Sequence, residues 1–311
     1  MRIIRLLDTT FYPYNFSFFF FVGAKLLLYP SLDMDASFFR VGPYHPPAGS
    51  RRAGREIYRM ENSVSSAALN AAREQLDAAE AAREVILLQH IANGVIIDSR
   101  TVQIAPDVVI APGAVILAGT ILRGRTVIGA GCIIGPNTLI EDSIVDEGST
   151  VNASQVYSSH IGPHNNIGPF THVRVNTVTD YGVHLGAYVE TKNSNFARGN
   201  TVSHLTYIGD SDVGKYCNFG CGTVTCNYDG KDKFRTTIGD YCFIGCNTNL
   251  VAPVKIGDGA YTAAGSTITK DVPAQALGIA RERQTNLDGW AEPKMEAYIA
   301  KKQKLEKEQN Q

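Results

Sequence analysis

Isoleucine or leucine recurs at every sixth residue through Ile104, Ile110, Ile116, Leu122, Ile128, Ile134 and Ile140, without a slip. Small residues often follow, as in Ile104-Ala105, Ile128-Gly129 and Ile134-Gly135. The ladder resumes at Ile161-Gly162, Ile167-Gly168 and Val173-Arg174. It returns as Ile238-Gly239, Ile244-Gly245, Leu250 and Ile256-Gly257, and ends near Ile268. A period of six is neither that of a helix nor that of a single strand. It fits short strands joined by tight corners, each sending one aliphatic side chain into a narrow core, which is the pattern of a parallel β-helix. Three such units per coil make a triangular prism, of roughly nine coils over this span on the repeat arithmetic. A globular α/β chain would need helical stretches between its strands, and none interrupts the ladder.

Departures from the period mark where chemistry can sit. Neither Ile140 to Ile161 nor Leu185 to Ile208 is a multiple of six, and Ile208 to Val213 is one residue short. The longest interruption, Cys226 to Thr236, reads CNYDGKDKFRT. Its Asp229-Gly230 pair is a turn signal, so a loop protruding from a corner is expected. Strand alternation predicts that Arg174, Tyr207 and Asn218 point outward, because their neighbours Val173, Ile208 and Phe219 point in. Cys132 and Cys242, four residues after Ile128 and Ile238, read as small core fillers.

The flanks read differently. Phe16 to Leu28 is strongly apolar but is broken by Lys25 and is shorter than the ~20 residues of a spanning helix. Arg2 and Arg5 precede it, yet no small-residue cleavage site follows, so secretion is disfavoured and the cytoplasm is expected. Residues 1–60 therefore read as an atypical, poorly ordered leader, with a Pro/Gly/Arg-rich linker at Pro43 to Arg55. Asn62 to Ile91 is alanine-rich and helical in pattern, with Asn62 or Ser63 as N-cap and Gly94 as stop. The expected organisation is a connecting helix in 61–96, the β-helix in 97–275, and an arm with a charged helix in 276–311, where Lys294 to Gln311 carries Lys301, Lys302, Lys304 and Lys307. A formal charge of −1, from 29 basic and 30 acidic residues, offers no surplus for nucleic acid or an anionic membrane. The six cysteines include no C-x-x-C pair and suggest neither a disulfide framework nor a structural zinc site.

The ladder resembles that of the hexapeptide-repeat acyltransferases, which implies a left-handed coil and a trimer with sites between prisms. The interrupted stretch is more specific. His204 to Gly209 reads HLTYIG, Thr223 to Asp229 reads TVTCNYD before Gly230 and Lys233, Leu250 to Val254 reads LVAPV, and Arg283 to Trp290 reads RQTNLDGW. From about Asn62 through Trp290 the chain resembles the acetyltransferase half of bacterial GlmU. That family joins a glucosamine-1-phosphate N-acetyltransferase to an N-acetylglucosamine-1-phosphate uridyltransferase. The uridyltransferase would need a Gly-rich L-A-x-G-x-G-T-R-M phosphate loop, and Ala48-Gly49-Ser50-Arg51-Arg52 is only a superficial echo of it. No uridylyl transfer, and no metal requirement, is expected of this polypeptide. A separate uridyltransferase is a conceivable partner.

The resemblance implies transfer of acetyl from acetyl-CoA to the amine of glucosamine 1-phosphate, on the route to UDP-N-acetylglucosamine and the cell envelope. A protonated amine does not attack, so a base near neutral pKa is needed. His204 matches the family's histidine, and Glu190 would orient or polarise it. Arg174 and Lys192 match the phosphate contacts, and Tyr207, Asn218 and Lys233 the sugar site. The acetyl-CoA side would involve Cys221, Asn227, Tyr228, Cys246, Ala264 and Arg281. Cys221 stands where alanine is common and Cys246 where serine is common, so a hydroxyl hydrogen bond at 246 would weaken. Direct transfer to the amine needs no nucleophilic cysteine.

Three other readings stand beside this one. An acyltransferase of the same architecture could act on another amino sugar or on serine. A metalloenzyme of the carbonic anhydrase kind would need an H-x₂₂-H-x₄-H arrangement, and His160, His164, His172, His184 and His204 are spaced otherwise. A non-catalytic trimeric scaffold or inactive fragment is the third.

Overall fold

A computed structural model describes residues 21–22, 25–26 and 65–309. The chain divides into two compact units, Met1–Ala71 and Ala72–Gln311. In the first, Phe21–Val22 and Lys25–Leu26 pair antiparallel. The rest of the expected leader, the Pro43 to Arg55 linker and the Ala48–Arg52 echo lie outside the described residues.

Helix α1 runs Ser66–Ala92. Its alanines need no help from packing to favour the helix, and Leu87 alone among its residues is buried. The N-cap is Ser65, whose Oγ accepts from the Ala68 amide at 3.2 Å. The alternatives Asn62 and Ser63 lie outside the described residues. Gly94 stops the helix as expected. Its φ of +87° reverses the chain, and the Val95 amide bonds back to the His90 carbonyl at 3.0 Å.

From Ile96 the chain coils into the parallel β-helix that the ladder implied, left-handed as the resemblance to hexapeptide-repeat acyltransferases implied. Strands two to four residues long stack into three parallel sheets of 11, 10 and 9 strands, one per face of the prism. The longest face thus holds two more strands than the roughly nine coils expected from the repeat arithmetic. Every second-face strand is three strands removed in sequence from its neighbour, as in Leu139–Glu141 paired with Ile121–Arg123 and Gln155–Tyr157.

The ladder is the core. Ile116, Leu122, Ile128, Ile134 and Ile140 are 0 % exposed, and Val173, Ile208 and Phe219 are buried while Arg174, Tyr207 and Asn218 face outward, as strand alternation required. Each buried aliphatic of this size contributes roughly 1.5–3 kcal/mol of hydrophobic stabilisation. Cys132 and Cys242 are buried among these side chains, their thiols on the carbonyls of Asp146 at 3.0 Å and Gly257 at 3.1 Å.

The broken periods have one physical cause. Five-residue steps occur at Ile140–Val145, Val151–Val156, Val156–Ile161, Thr191–Phe196 and Ile208–Val213, where every named residue is in the core. In each, the residue two after the core position turns the corner in the left-handed backbone region, with φ of 48° at Asp142, 43° at Ala153, 42° at Ser158, 48° at Asn193 and 48° at Asp210. The six-residue steps Ile134–Ile140 and Ile244–Leu250 turn one residue later, at Asn137 and Asn247. Asn and Asp are the non-glycine residues that adopt this conformation most readily.

The C-terminal helix α2, Glu292–Gln309, has no buried residue among those described. Lys294 caps the face of Trp290 at 3.4 Å from the ring centroid. Among the described residues no helix is long and apolar enough to cross a membrane.

Candidate active site

One corner of the prism carries His204 and most of the positions assigned to acetyl-CoA. His204 ends the strand Thr201–His204, is exposed, and lies in register with Ala187 one coil below. Above it the backbone bonds Gly222 N to Leu205 O at 3.0 Å, Asn247 N to Cys221 O at 2.8 Å and Gly265 N to Cys246 O at 2.8 Å stack the next three corners. His204, Cys221, Cys246 and Ala264 therefore form a column with a rise of roughly 4.8 Å per coil. Gly220 has no room for a side chain, because a Cβ there would fall 2.7 Å from the Cys246 Cα; this close approach keeps the coils tight. The Arg281 stem passes beside Gly265 at the top, its Cδ 3.8 Å from where a Cβ on that glycine would sit. Cys246 is exposed and Cys221 half-buried, and both are free thiols.

The cations sit on the adjacent, ten-stranded face. His172 pairs with Glu190, and Glu190 with Tyr207, in successive coils. Arg174 and Lys192 stand at the far end of this face, where the Arg174 amide bonds the Thr191 carbonyl at 2.8 Å. Arg174 Nη1 donates to Glu190 Oε1 at 2.6 Å. Lys233 reaches Lys192 from the protruding loop. That contact, with the charges of Lys233 and Arg174, pushes the Lys192 ammonium below the ordinary lysine pKa, and Asp210 partly opposes the shift. Three cations held this close make a site for an anion.

The loop is a hairpin with a built stem. Tyr228 and Lys233 pair antiparallel, and Phe234 N bonds Asn227 O at 2.9 Å. At the tip Asp229 Oδ1 accepts from the amides of Lys231 at 2.8 Å and Asp232 at 2.7 Å, which hold the Asp229 carboxyl below its usual range. At the base Arg235 clamps Asp212 through Nε at 2.8 Å and Nη2 at 2.6 Å, and also donates to the carbonyls of Asn193 and Ser211 at 3.1 Å each. These bonds lower the Asp212 pKa and raise that of Arg235. Beside the clamp lies Asp210, 5 % exposed, whose carboxylate accepts from the side-chain amides of Asn193 and Asn227. Asn227 Nδ2 also lies 3.5 Å from the Tyr207 hydroxyl.

The structure thus gathers Arg174, Glu190, Lys192, Tyr207, Asn227 and Lys233 on one face and its corner, next to the His204 column. Asn218 is not among them. It lies on the eleven-stranded face, in register with Thr201 and Phe243. The carboxylate of Glu190 engages Arg174 rather than His204. Sequence reasoning missed Asp210, Asn193 and the Asp212–Arg235 clamp. The signal was present for Asp210: the five-residue step from Ile208 to Val213 requires a left-handed corner residue, and an aspartate supplies it. A separate open groove of about 630 Å³ runs along the nine-stranded face past His160, Val178 and Asn195, and no residue expected in the site lines it.

Comparison with known proteins adds to this geometry. Residues 102–211 match the GMPPB C-terminal domain family, and residues 235–270 match the bacterial transferase hexapeptide family of six repeats. A bifunctional protein GlmU of Clostridium beijerinckii is 44% identical over 245 residues, covering 78% of this chain and 53% of that protein. The chain resembles the acetyltransferase half of GlmU. The bifunctional GlmU of Caldicellulosiruptor saccharolyticus is 53% identical over 143 residues, 46% of this chain and 31% of that one. The GlmU of Clostridium perfringens strain SM101 is 55% identical over 139 residues, 45% and 31%. The chain spans at most about half the length of these GlmU relatives.

Proposed function

We propose that the chain is an acyltransferase that moves acetyl from acetyl-CoA to the amine of glucosamine 1-phosphate, and that it works as a homotrimer. The observation that carries this reading is that two features flank the ten-stranded face of the prism, one at each end. Arg174, Lys192 and Lys233 form a cation cluster suited to a phosphate, and His204 heads a column of corners long enough to lay out an extended acyl donor. The likeness to GlmU supplies the identity of both ligands.

The chemistry follows from the residue types. The amine nitrogen attacks the thioester carbonyl, a C–N bond forms, and the C–S bond breaks with CoA leaving as its thiol. His204 accepts the proton that the amine must shed. Arg174, Lys192 and Lys233 hold the phosphate, and fixing the sugar there lets its amine reach the carbonyl without a search.

The trimer is supported by two features of a single chain. Asn218 stands on a different face from the cations, so a second copy is needed to bring it to a sugar held by them. The same face exposes Phe243 at 41 %, Tyr261 at 52 % and Leu277 at 58 % in three successive coils, an apolar strip that association would cover.

The deciding experiment measures CoA release from acetyl-CoA by the full chain with glucosamine 1-phosphate, glucosamine, galactosamine 1-phosphate and serine. The expected result is turnover with glucosamine 1-phosphate at least tenfold above the others. His204→Ala should cost on the order of 10²–10⁴ in kcat. Equal rates with unphosphorylated glucosamine, or full activity of the His204 variant, would overturn the reading. Light scattering should give the mass of three chains, and a mass near one chain would refute the trimer.

A further inference from the structure

We propose that Asp210 is a positioning residue that sets the hydrogen-bond polarity of the site, turning Asn227 so that its carbonyl oxygen meets an N–H donor on the bound substrates. The proposal rests on the acetyltransferase reading above and names a residue that reading does not use.

An ionised carboxylate only accepts hydrogen bonds. Asp210 is almost fully buried, and its two oxygens are divided between two amides, Oδ1 to Asn193 Nδ2 and Oδ2 to Asn227 Nδ2. Both amides are therefore obliged to present nitrogen to Asp210. The charge is also balanced, because Lys192 and Arg235 both feel Asp210 as a favourable neighbour.

The consequence falls on Asn227. One of its N–H groups is taken by Asp210, and the same nitrogen lies 3.5 Å from the Tyr207 hydroxyl oxygen. That leaves Oδ1 as the atom with no partner among the described residues. An amide that can flip offers a ligand either a donor or an acceptor. This one is held as an acceptor, and Tyr207, which receives from Asn227, keeps its own proton to donate. Position 227 then selects an N–H group, which both substrates contain: the acceptor's amine, and the amides along the arm of acetyl-CoA. In the first case the bond also turns the nitrogen lone pair away from Asn227.

Backbone bonds make Asp210 hard to move. Its amide bonds the Lys192 carbonyl at 2.9 Å, and its carbonyl receives the Thr236 amide at 3.0 Å. The left-handed φ of 48° is the one this five-residue corner requires. The side chain is thus fixed between the strand that carries Lys192 and the hairpin that carries Asn227 and Lys233.

The test is a reciprocal exchange in the full chain, using Asp210→Asn, Asn227→Asp and the double variant. With Asp210→Asn, two amides compete for one carbonyl oxygen and Asn227 can flip, so kcat/KM should fall roughly ten- to hundred-fold. Asn227→Asp should fall at least as far, because two carboxylates then face each other. The double variant restores a donor–acceptor pair and still presents an acceptor at 227, so it should recover at least tenfold over either single change. It also serves if a single variant does not fold, which a melting curve shows. A rise in KM for acetyl-CoA alone assigns the N–H donor to the arm, and a rise for glucosamine 1-phosphate alone assigns it to the amine. Wild-type rates in Asp210→Asn, or a double variant no better than the singles, overturn the proposal. If the unmodified chain releases no CoA, the acetyltransferase reading fails by itself, and the Asp210 assignment is then decided by titration calorimetry of acetyl-CoA with the same three variants.

Discussion

Arg174 Nη1 stands 2.6 Å from Glu190 Oε1, one coil apart on the face that carries the cations. Each side chain is 39 % exposed, so the pair adds little to stability, about 1 kcal/mol at most. Its value is orientation. Glu190→Gln should raise KM for glucosamine 1-phosphate roughly three- to tenfold, the scale of such an interaction, while leaving kcat within about twofold. The opposite split, a fall in kcat with a displaced acid limb in the pH profile, would return Glu190 to the role of orienting His204.

Lys192 has a depressed pKa chiefly because Lys233 touches it. A lysine lowered in this way sheds its charge at a lower pH than a free one. Affinity for an anion through Lys192 is therefore full below the depressed pKa and is lost as pH rises through it. Lys233→Met removes the principal cause, so Lys192 should stay charged to higher pH. Measured as KM for glucosamine 1-phosphate against pH, the alkaline loss of affinity should move upward in the variant, even though overall affinity is weaker for want of one cation. An unmoved alkaline limb would refute the coupling.

The Arg235–Asp212 clamp fixes the base of the hairpin. Arg235→Gln should loosen it, raising KM for both substrates and exposing the 228–233 segment to limited proteolysis, with little change in the melting temperature of the coil. Acid acts on the same contact. Asp212 has a lowered folded-state pKa, so its contribution is present above the unfolded carboxylate value of about 3.9 and is lost as pH falls through the lower folded value. Hairpin protection against protease should therefore persist at pH 5 and disappear only in strong acid.

The core ladder gives a stability contrast within one dipeptide. Ile134 is 0 % exposed and Ile133 is 43 % exposed. Denaturant unfolding should show Ile134→Ala costing about 2–5 kcal/mol, and Ile133→Ala well under that. Similar losses at both positions would contradict the inward–outward alternation.

How much of this was legible in the sequence depends on whether the feature is periodic. The inward set from Ile104 to Ile140 could be read directly, because one aliphatic per strand is the only way to fill so narrow a core. The irregular steps were visible as broken spacing, but their cause was not, since a five-residue corner is a backbone conformation and leaves only an Asp, Asn, Ser or Ala as its trace. The outward direction of Arg174, Tyr207 and Asn218 followed from Val173, Ile208 and Phe219. The partners of those side chains did not. That Glu190 bonds Arg174, and that Asn227 bonds Asp210, depends on which coil lies above which, and one sequence does not state how corners of unequal length stack. Asn218 shows the same limit. It is 11 residues from Tyr207, yet it belongs to another face, and only the count of corners between them reveals it.

The hairpin that carries Asn227 and Lys233 interrupts the chain between Thr225 and Ile238 without disturbing either neighbouring register. Thr225 still pairs with Leu250, and Val213 with Ile238. A corner can therefore carry a hairpin of this length while the coils on either side keep their spacing. Hairpin and coil are separable parts of such a chain: exchanging the hairpin would replace Asn227, Tyr228 and Lys233 together, and the column above His204 would not move.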